Sequence, residues 1–169
     1  MPVFVVLLRA VNVGGTGRLP MSDLKRLCEK AGFRNVRTYI ASGNVMAERD
    51  DAEAKAKAAL EAELRAYAGK PVGVIIRTAA EMAKVVANNP FPDRSASQTV
   101  AIFLDHAPSA DVLKDVKGQA NEEIRSSARE VYVHYPDGIG RSKLRIPAAG
   151  EGTARNMNTV AKLATMAAE

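Results

Sequence analysis

Val3-Phe-Val-Val-Leu-Leu-Arg9, a run of β-branched and large apolar residues closed by a cation, is the stretch from which the fold is read. Unbroken apolar character over so few residues suits a strand buried on both faces. The residues after it supply its neighbours. Leu24, Leu27, Cys28 and Ala31 stand at i, i+3, i+4 and i+7, one stripe of a helix that Gly32 stops. Asn35 to Ile40 reads as a second strand, and Ser42-Gly43-Asn44 turns the chain into a third over Val45 to Glu48. Asp50 opens an Ala/Glu/Lys-rich helix with Glu53 placed as in a capping box. Leu60, Leu64 and Tyr67 form its inward stripe, Gly69 ends it, and Val72 to Arg77 is a fourth strand. The order β-α-β-β-α-β predicts a ferredoxin-like half, with two helices on one face of a four-stranded antiparallel sheet.

Beyond that half, Thr78-Ala-Ala-Glu81 is a capping box for a short helix that carries Met82, Val85 and Val86 and must stop before Pro90. Asn88-Asn89-Pro90-Phe91-Pro92 marks the expected boundary, which divides the chain into a ferredoxin-like domain (1–90) and a smaller α+β subdomain (91–169). In the second part the sequence predicts a strand from Thr99 to Leu104 and a helix from Pro108-Ser109 to about Gly118. A hairpin of Glu122–Ser127 with Glu130–Tyr135 comes next, then a loop from Asp137 to Gly140. Lys143 to Ala149 is ambiguous, and a C-terminal helix is capped by Asn158 or Thr159 and carries Val160 and Leu163. The second part reads as a shorter echo of the first, although the sequence itself does not repeat. The fold class is α+β.

Composition narrows the function. The 169 residues hold 24 Lys+Arg against 19 Asp+Glu, a net charge of +5, with 47% hydrophobic and 25% charged residues. That is ordinary for a soluble globular chain. One cysteine excludes a disulfide scaffold, and two histidines with no metal-ligand spacing argue against a metal site. No apolar run is long enough for a membrane helix, and the start lacks the charges that precede a signal h-region, so the expected compartment is the cytoplasm. Cys28, on the core stripe, reads as a small hydrophobe. His134, alternating with apolar residues on a strand, reads as structural, and His106 has no partner nearby in sequence.

Charge is unevenly placed. Residues 1–40 carry seven basic and two acidic side chains, net +5, and residues 138–162 carry five and one, net +4. These blocks also hold the unusual polar motifs, which favours an anionic partner more than the overall charge does; a solvated basic face is the alternative that such charge alone equally allows.

Four segments carry the candidate chemistry. In Arg9-Ala10-Val-Asn12-Val-Gly14-Gly15-Thr-Gly17-Arg18, glycines permit an anion-binding nest of backbone N–H groups, and Arg9 and Arg18 supply bidentate donors; the alternative is a plain surface loop. It is neither a Walker loop nor a dinucleotide fingerprint. In Tyr39-Ile-Ala-Ser42-Gly43-Asn44, a simple turn accounts for the residues when the segment is taken alone. In Pro136-Asp137-Gly138-Ile-Gly140-Arg141-Ser142-Lys143-Leu144, Ser142 and Lys143 suit a phosphate or carboxylate, or else Ser142 caps a helix. In Thr153-Ala-Arg155-Asn156-Met-Asn158-Thr159, the polar residues exceed what one cap requires, and a helix N-terminus favours anions.

Read together, Leu-Leu-Arg-Ala-Val-Asn-Val-Gly-Gly (7–15), Leu-Pro-Met (19–21), Tyr-Ile-Ala-Ser-Gly-Asn-Val (39–45), Asn-Pro-Phe (89–91), Gly-Ile-Gly-Arg-Ser-Lys-Leu (138–144) and Thr-Ala-Arg-Asn-Met-Asn-Thr (153–159) stand in the order of a known pattern. The chain resembles the bacterial domain-of-unknown-function family numbered 1697. The resemblance implies an α+β fold with a ferredoxin-like first half and no established activity. Ala10 stands where the family often has Gly, and Met157 where it often has Trp, which weakens a base-stacking role at 157.

The expected function is binding of a phosphate- or carboxylate-bearing ligand, such as a nucleotide or nucleic acid, in a basic cleft between the two halves. The ligand-binding set is Arg9, Asn12, Gly14, Gly15, Arg18, Ser42, Asn44, Ser142, Lys143, Arg155, Asn156 and Asn158. Sheet-face RNA stacking is disfavoured, since aromatic residues are only 5% of the chain. One alternative is an enzyme acting on a small phosphorylated or carboxylated substrate, with Ser42 or Lys143 as nucleophile or acid. It lacks a general base, since Asp23 and Asp137, the acidic residues nearest the motifs, read as exposed. Another is an interaction or assembly module, or a homodimer, paired through an open sheet face. No cofactor, metal or membrane partner is expected.

Overall fold

Val3–Leu8 forms β1, and all but its first residue are buried. The computed structural model describes residues 2–9, 19–40, 43–108, 111, 113–150 and 152–168. Asn44–Glu48 (β3) and Val74–Thr78 (β4) flank β1, and Arg34–Tyr39 (β2) lies outside β3, all pairs antiparallel. The sheet order is β2-β3-β1-β4. Side chains alternate across a strand. Phe4, Val6 and Leu8 therefore join the core with Leu24, Leu27 and Cys28 of Met21–Lys30 (α1) and Leu60 and Leu64 of Glu53–Ala68 (α2). Val5, Leu7, Met46 and Ile75 point to the other side and are buried as well. The apolar run of β1 thus has two buried faces, as its composition predicts.

Gly32, at φ +99°, turns the chain out of α1, and the Arg49 guanidinium holds the Ala31 carbonyl while sitting 5.7 Å above the Phe33 ring. Arg49 also binds Asp51 at 2.6 Å, and the segment before α2 is ordered by that pair rather than by a cap. No capping box forms at Asp50 and Glu53; the residue before α2 is Ala52, and no side chain caps it. Tyr67 does not join the inward stripe. It is 42% exposed, with its hydroxyl donating to the Asp23 carboxylate on α1 at 2.7 Å, because an amphipathic ring at a helix end keeps its polar tip in water.

The box at Thr78 and Glu81 does form, at the head of Ala79–Ala87 (α3). Thr78 N–H donates to Glu81 Oε1 at 2.8 Å, and Glu81 N–H donates to Thr78 Oγ1 at 3.1 Å. Thr78→Ala removes one of these bonds and is expected to lower stability by about 1 kcal/mol, read as a shift of the urea midpoint at unchanged slope.

The second sheet is built from Thr99–Phe103 (β5), Glu123–Ser126 (β6), Glu130–His134 (β7) and Thr153–Asn156 (β8), in the order β6-β7-β5-β8 with antiparallel pairing. Raising each label of the first sheet by four yields the second, so the echo exists in topology. What differs is the layer over the sheet. The helix expected from Pro108 to Gly118 is not found among the described residues. Asp111 and Leu113–Asp115 are turns, and Lys117 pairs with Arg145 in an isolated bridge. Val116, Leu144 and Ile146 pack instead against Leu104, Ile124, Val131 and Val133.

His134 is buried in β7, its Nδ1 3.0 Å from Thr99 Oγ1, a structural role. Met157–Ala168 (α4) comes directly after β8, and its cap is Asn156, whose Oδ1 accepts from Thr159 N–H at 2.9 Å; neither Asn158 nor Thr159 serves as the cap. Strand β8 takes in Asn156 and leaves its side chain to cap the helix. Arg37 Nη2 donates to the Met166 carbonyl at 2.8 Å, a cation at the C-terminal end of α4.

The chain divides into two compact units, Met1–Ala83 with Leu163–Glu169, and Lys84–Lys162. No helix among the described residues is long and apolar enough to cross a membrane.

Candidate functional site

Lys117 N–H donates to the Arg145 carbonyl at 2.9 Å, and Arg145 N–H to the Lys117 carbonyl at 2.7 Å. This clamp draws the stretch after Ser142 alongside Gly118, the start of the approach to β6. Only glycine fits at 118: its φ is +69°, and a Cβ there would lie 2.1 Å from the Lys143 carbonyl oxygen. Between the two stretches and the chain leaving β7 lies a pocket of about 260 Å³. Its walls carry Asn121, Glu122, Tyr135, Asp137, Arg141 and Lys143.

Glu122 is the buried carboxylate in the lining of this pocket. Its carboxylate accepts from the Ser142 hydroxyl and from Ala120 N–H, the latter at 2.6 Å. Those two donors, Ser142 foremost, hold the Glu122 carboxyl below its ordinary range, so it is ionised. Ser142 Oγ also accepts from Leu144 N–H at 3.1 Å, which locks the hydroxyl in place. Tyr135 is half-buried, and burial first and the Glu122 charge second raise its phenol above the ordinary value. It therefore stays protonated and remains a hydrogen-bond donor. Asp137, at the rim, accepts from Asn121 Nδ2 at 2.7 Å. Arg141 and Lys143 are exposed at the same rim and make no ion pair among the described residues.

Chemically this is a polar pocket with fixed charges. A carboxylate held low is a poor proton acceptor at neutral pH, so Glu122 is ill suited to activate Ser142 as a nucleophile. Ser142, expected to donate to a ligand, spends its proton on Glu122 instead.

Ser142 and Lys143 line the pocket together. Arg155 and Asn156 lie on β8, in the same sheet as the Glu123–His134 pair, but they do not line it. Arg155 donates to its neighbour's carbonyl, Ala154 O, at 2.9 Å, and burial lowers its guanidinium to about 10, still charged at neutral pH. Asn156 is occupied as a helix cap, and Asn158 is exposed on α4. In the first unit, Asn44 is fully buried and its amide donates to the Tyr39 carbonyl at 3.1 Å, tying its own hairpin. Arg9 N–H donates to Gly73 O at 3.0 Å, and Leu8 N–H to Gly43 O at 2.9 Å. Arg9 and Gly73, next to the ends of β1 and β4, and Tyr39 and Asn44, at the ends of β2 and β3, thus lie at one end of the first sheet. Asn12, Gly14, Gly15, Arg18 and Ser42 lie outside the described residues.

Sequence reasoning misses Glu122, Asn121 and Tyr135 as site residues. Ser142 and Glu122 are 20 residues apart in the chain, and no periodicity joins them. Arg141 lies within the same glycine-rich motif as Ser142 and Lys143, and that adjacency is the available signal. Cys28 is buried, and burial pushes its thiol up to about 12, which makes it unreactive. No cluster of three or more His, Cys, Asp or Glu able to hold a metal ion occurs among the described residues.

Comparison with known proteins bears on identity and fold. A family described as "Protein of unknown function (DUF1697)" matches residues 1–132. The solved structure of the conserved bacterial protein SP0830 from Streptococcus pneumoniae is similar at a TM-score of 0.80 with 19% identity, covering 98% of each chain. At that identity the likeness concerns the fold alone. A search of curated protein sequences gives no match.

Proposed function

This chain belongs to the family of proteins of unknown function DUF1697, which leaves its chemistry to be argued from the molecule, and we propose that it binds a small phosphate- or carboxylate-bearing ligand in the pocket of its second unit. The observation that carries this reading is the disposition of charge around Glu122. Both carboxylates of the pocket already accept hydrogen bonds from neighbouring protein groups, whereas Arg141 and Lys143 at the rim do not serve any acidic partner among the described residues. Tyr135, kept protonated, adds a neutral donor beside them. Two cations and a phenol around one hollow form a donor set suited to an oxyanion.

A long nucleic acid fits this set less well than a small ligand, because Asp137 and Glu122 would repel neighbouring phosphates. The strand order β2-β3-β1-β4, with α1 and α2 on one face, supports reading the first unit as ferredoxin-like and the second as a shorter relative of it.

The test is a phosphate titration followed by thermal stability, since a ligand that binds only the native state raises the melting temperature. Arg141→Ala and Lys143→Ala are each expected to move the titration to about tenfold higher phosphate, the loss of one charge-assisted contact. Arg65→Ala, on the exposed side of α2, serves as the control. Titrations that superimpose for all three variants and the parent would overturn the proposal.

A further inference from the structure

We infer that the ligand of this pocket is a phosphorylated polyol, a sugar phosphate or a nucleoside monophosphate, whose hydroxyl groups are read by Asp137 and Asn121. The inference rests on the anion-binding reading and goes beyond it to the part of the ligand that is not the anion.

The pocket carries acceptors as well as cations. Besides Arg141 and Lys143, its lining holds Asp137 and Asn121, joined by a single hydrogen bond of 2.7 Å from Asn121 Nδ2 to Asp137 Oδ2. That bond leaves one carboxylate oxygen and one amide oxygen, both acceptors, at the exposed rim. An ionised carboxylate only accepts, so whatever meets Asp137 must donate. A second oxyanion would meet repulsion at Asp137, and an apolar molecule would displace water from these acceptors without replacing its hydrogen bonds. A ligand that carries an oxyanion together with hydroxyl groups satisfies both the cations and the acceptors, because each hydroxyl can donate once. Tyr135 lines the same hollow, with its ring half-buried and its phenol protonated. A volume of about 260 Å³ suits one sugar phosphate and is too small for an oligonucleotide.

Calorimetric titration of the whole chain with ribose 5-phosphate, inorganic phosphate, ribose and phosphoethanolamine separates the cases. Ribose 5-phosphate is expected to bind about tenfold tighter than inorganic phosphate, the value of one further hydrogen bond to a charged acceptor. Asp137→Asn is expected to abolish that advantage while leaving phosphate binding as tight as before or tighter, because a neighbouring negative charge is removed. Equal affinity for ribose 5-phosphate and phosphate, both weakened by Lys143→Ala, would overturn the polyol inference and leave the anion site standing. Tighter binding of phosphoethanolamine than of ribose 5-phosphate would also overturn it, by making the Asp137–Asn121 pair an ammonium site. Absence of binding by every phosphate compound would overturn both readings together.

Discussion

Gly118→Ala is expected to destabilise the protein by about 4 kcal/mol and to lower its melting temperature by roughly 10 °C. Two costs combine. The residue sits at φ +69°, where an L side chain is strained, and the new Cβ would come within 2.1 Å of the Lys143 carbonyl oxygen and 2.8 Å of its carbon. Both atoms are backbone, so no rotamer change relieves the overlap. The neighbouring Lys117–Arg145 bridge pins the two stretches at 2.7 and 2.9 Å, and separating them breaks it. The same movement opens the wall of the pocket, so Ser142 and Glu122 lose their alignment and phosphate binding falls with stability. Gly140→Ala is the matched comparison. Nothing lies within 4 Å of a Cβ there, and its expected effect stays within about 0.5 kcal/mol. If Gly118→Ala melts with the parent protein, the close approach that shapes the pocket is wrong.

Glu122→Ala is expected to cost about 3 kcal/mol at neutral pH, because the Ala120 N–H and the Ser142 hydroxyl both lose a charged acceptor at a buried position. The effect has a pH signature. The Glu122 carboxyl is held below its ordinary value of 4.5 in the folded chain. A depressed folded value means that the native state binds its proton less readily than the unfolded state. The stabilisation is therefore complete above the ordinary value and is lost as pH falls through the lower folded one. The stability gap between parent and variant should be constant from neutral pH down to about 5 and should narrow at more acid pH, measured by urea unfolding at each pH. A gap independent of pH would show that Glu122 contributes only by filling space.

Local pattern carried much of the architecture. The apolar run at Val3–Leu8, the stripe of Leu24, Leu27 and Cys28, and the capping box at Thr78 and Glu81 each act over a few residues. Periodicity and end chemistry therefore predict them. The expectations that failed were those in which another side chain outcompeted the local signal. Arg49 takes Asp51 and α2 starts without a side-chain cap, and Asn156 enters β8 and then caps α4 in place of Asn158 or Thr159. The helix expected before Gly118, not found among the described residues, belongs with these, because Val116, Leu144 and Ile146 pack over the second sheet.

Of the candidate site, the sequence singled out Ser142 and Lys143, because glycines beside basic and hydroxyl residues are visible within one short segment. It also established by itself the α+β class, the central buried strand and the uneven basic charge, all of which depend on composition and spacing. Tertiary structure alone decided that Glu122 meets Ser142, that Tyr135 lines the same pocket, and that Arg155 stands outside it. Hydrogen bonds and charges act through space, and residues 20 positions apart become partners only when the Lys117–Arg145 bridge and the glycine at 118 bring their backbones together.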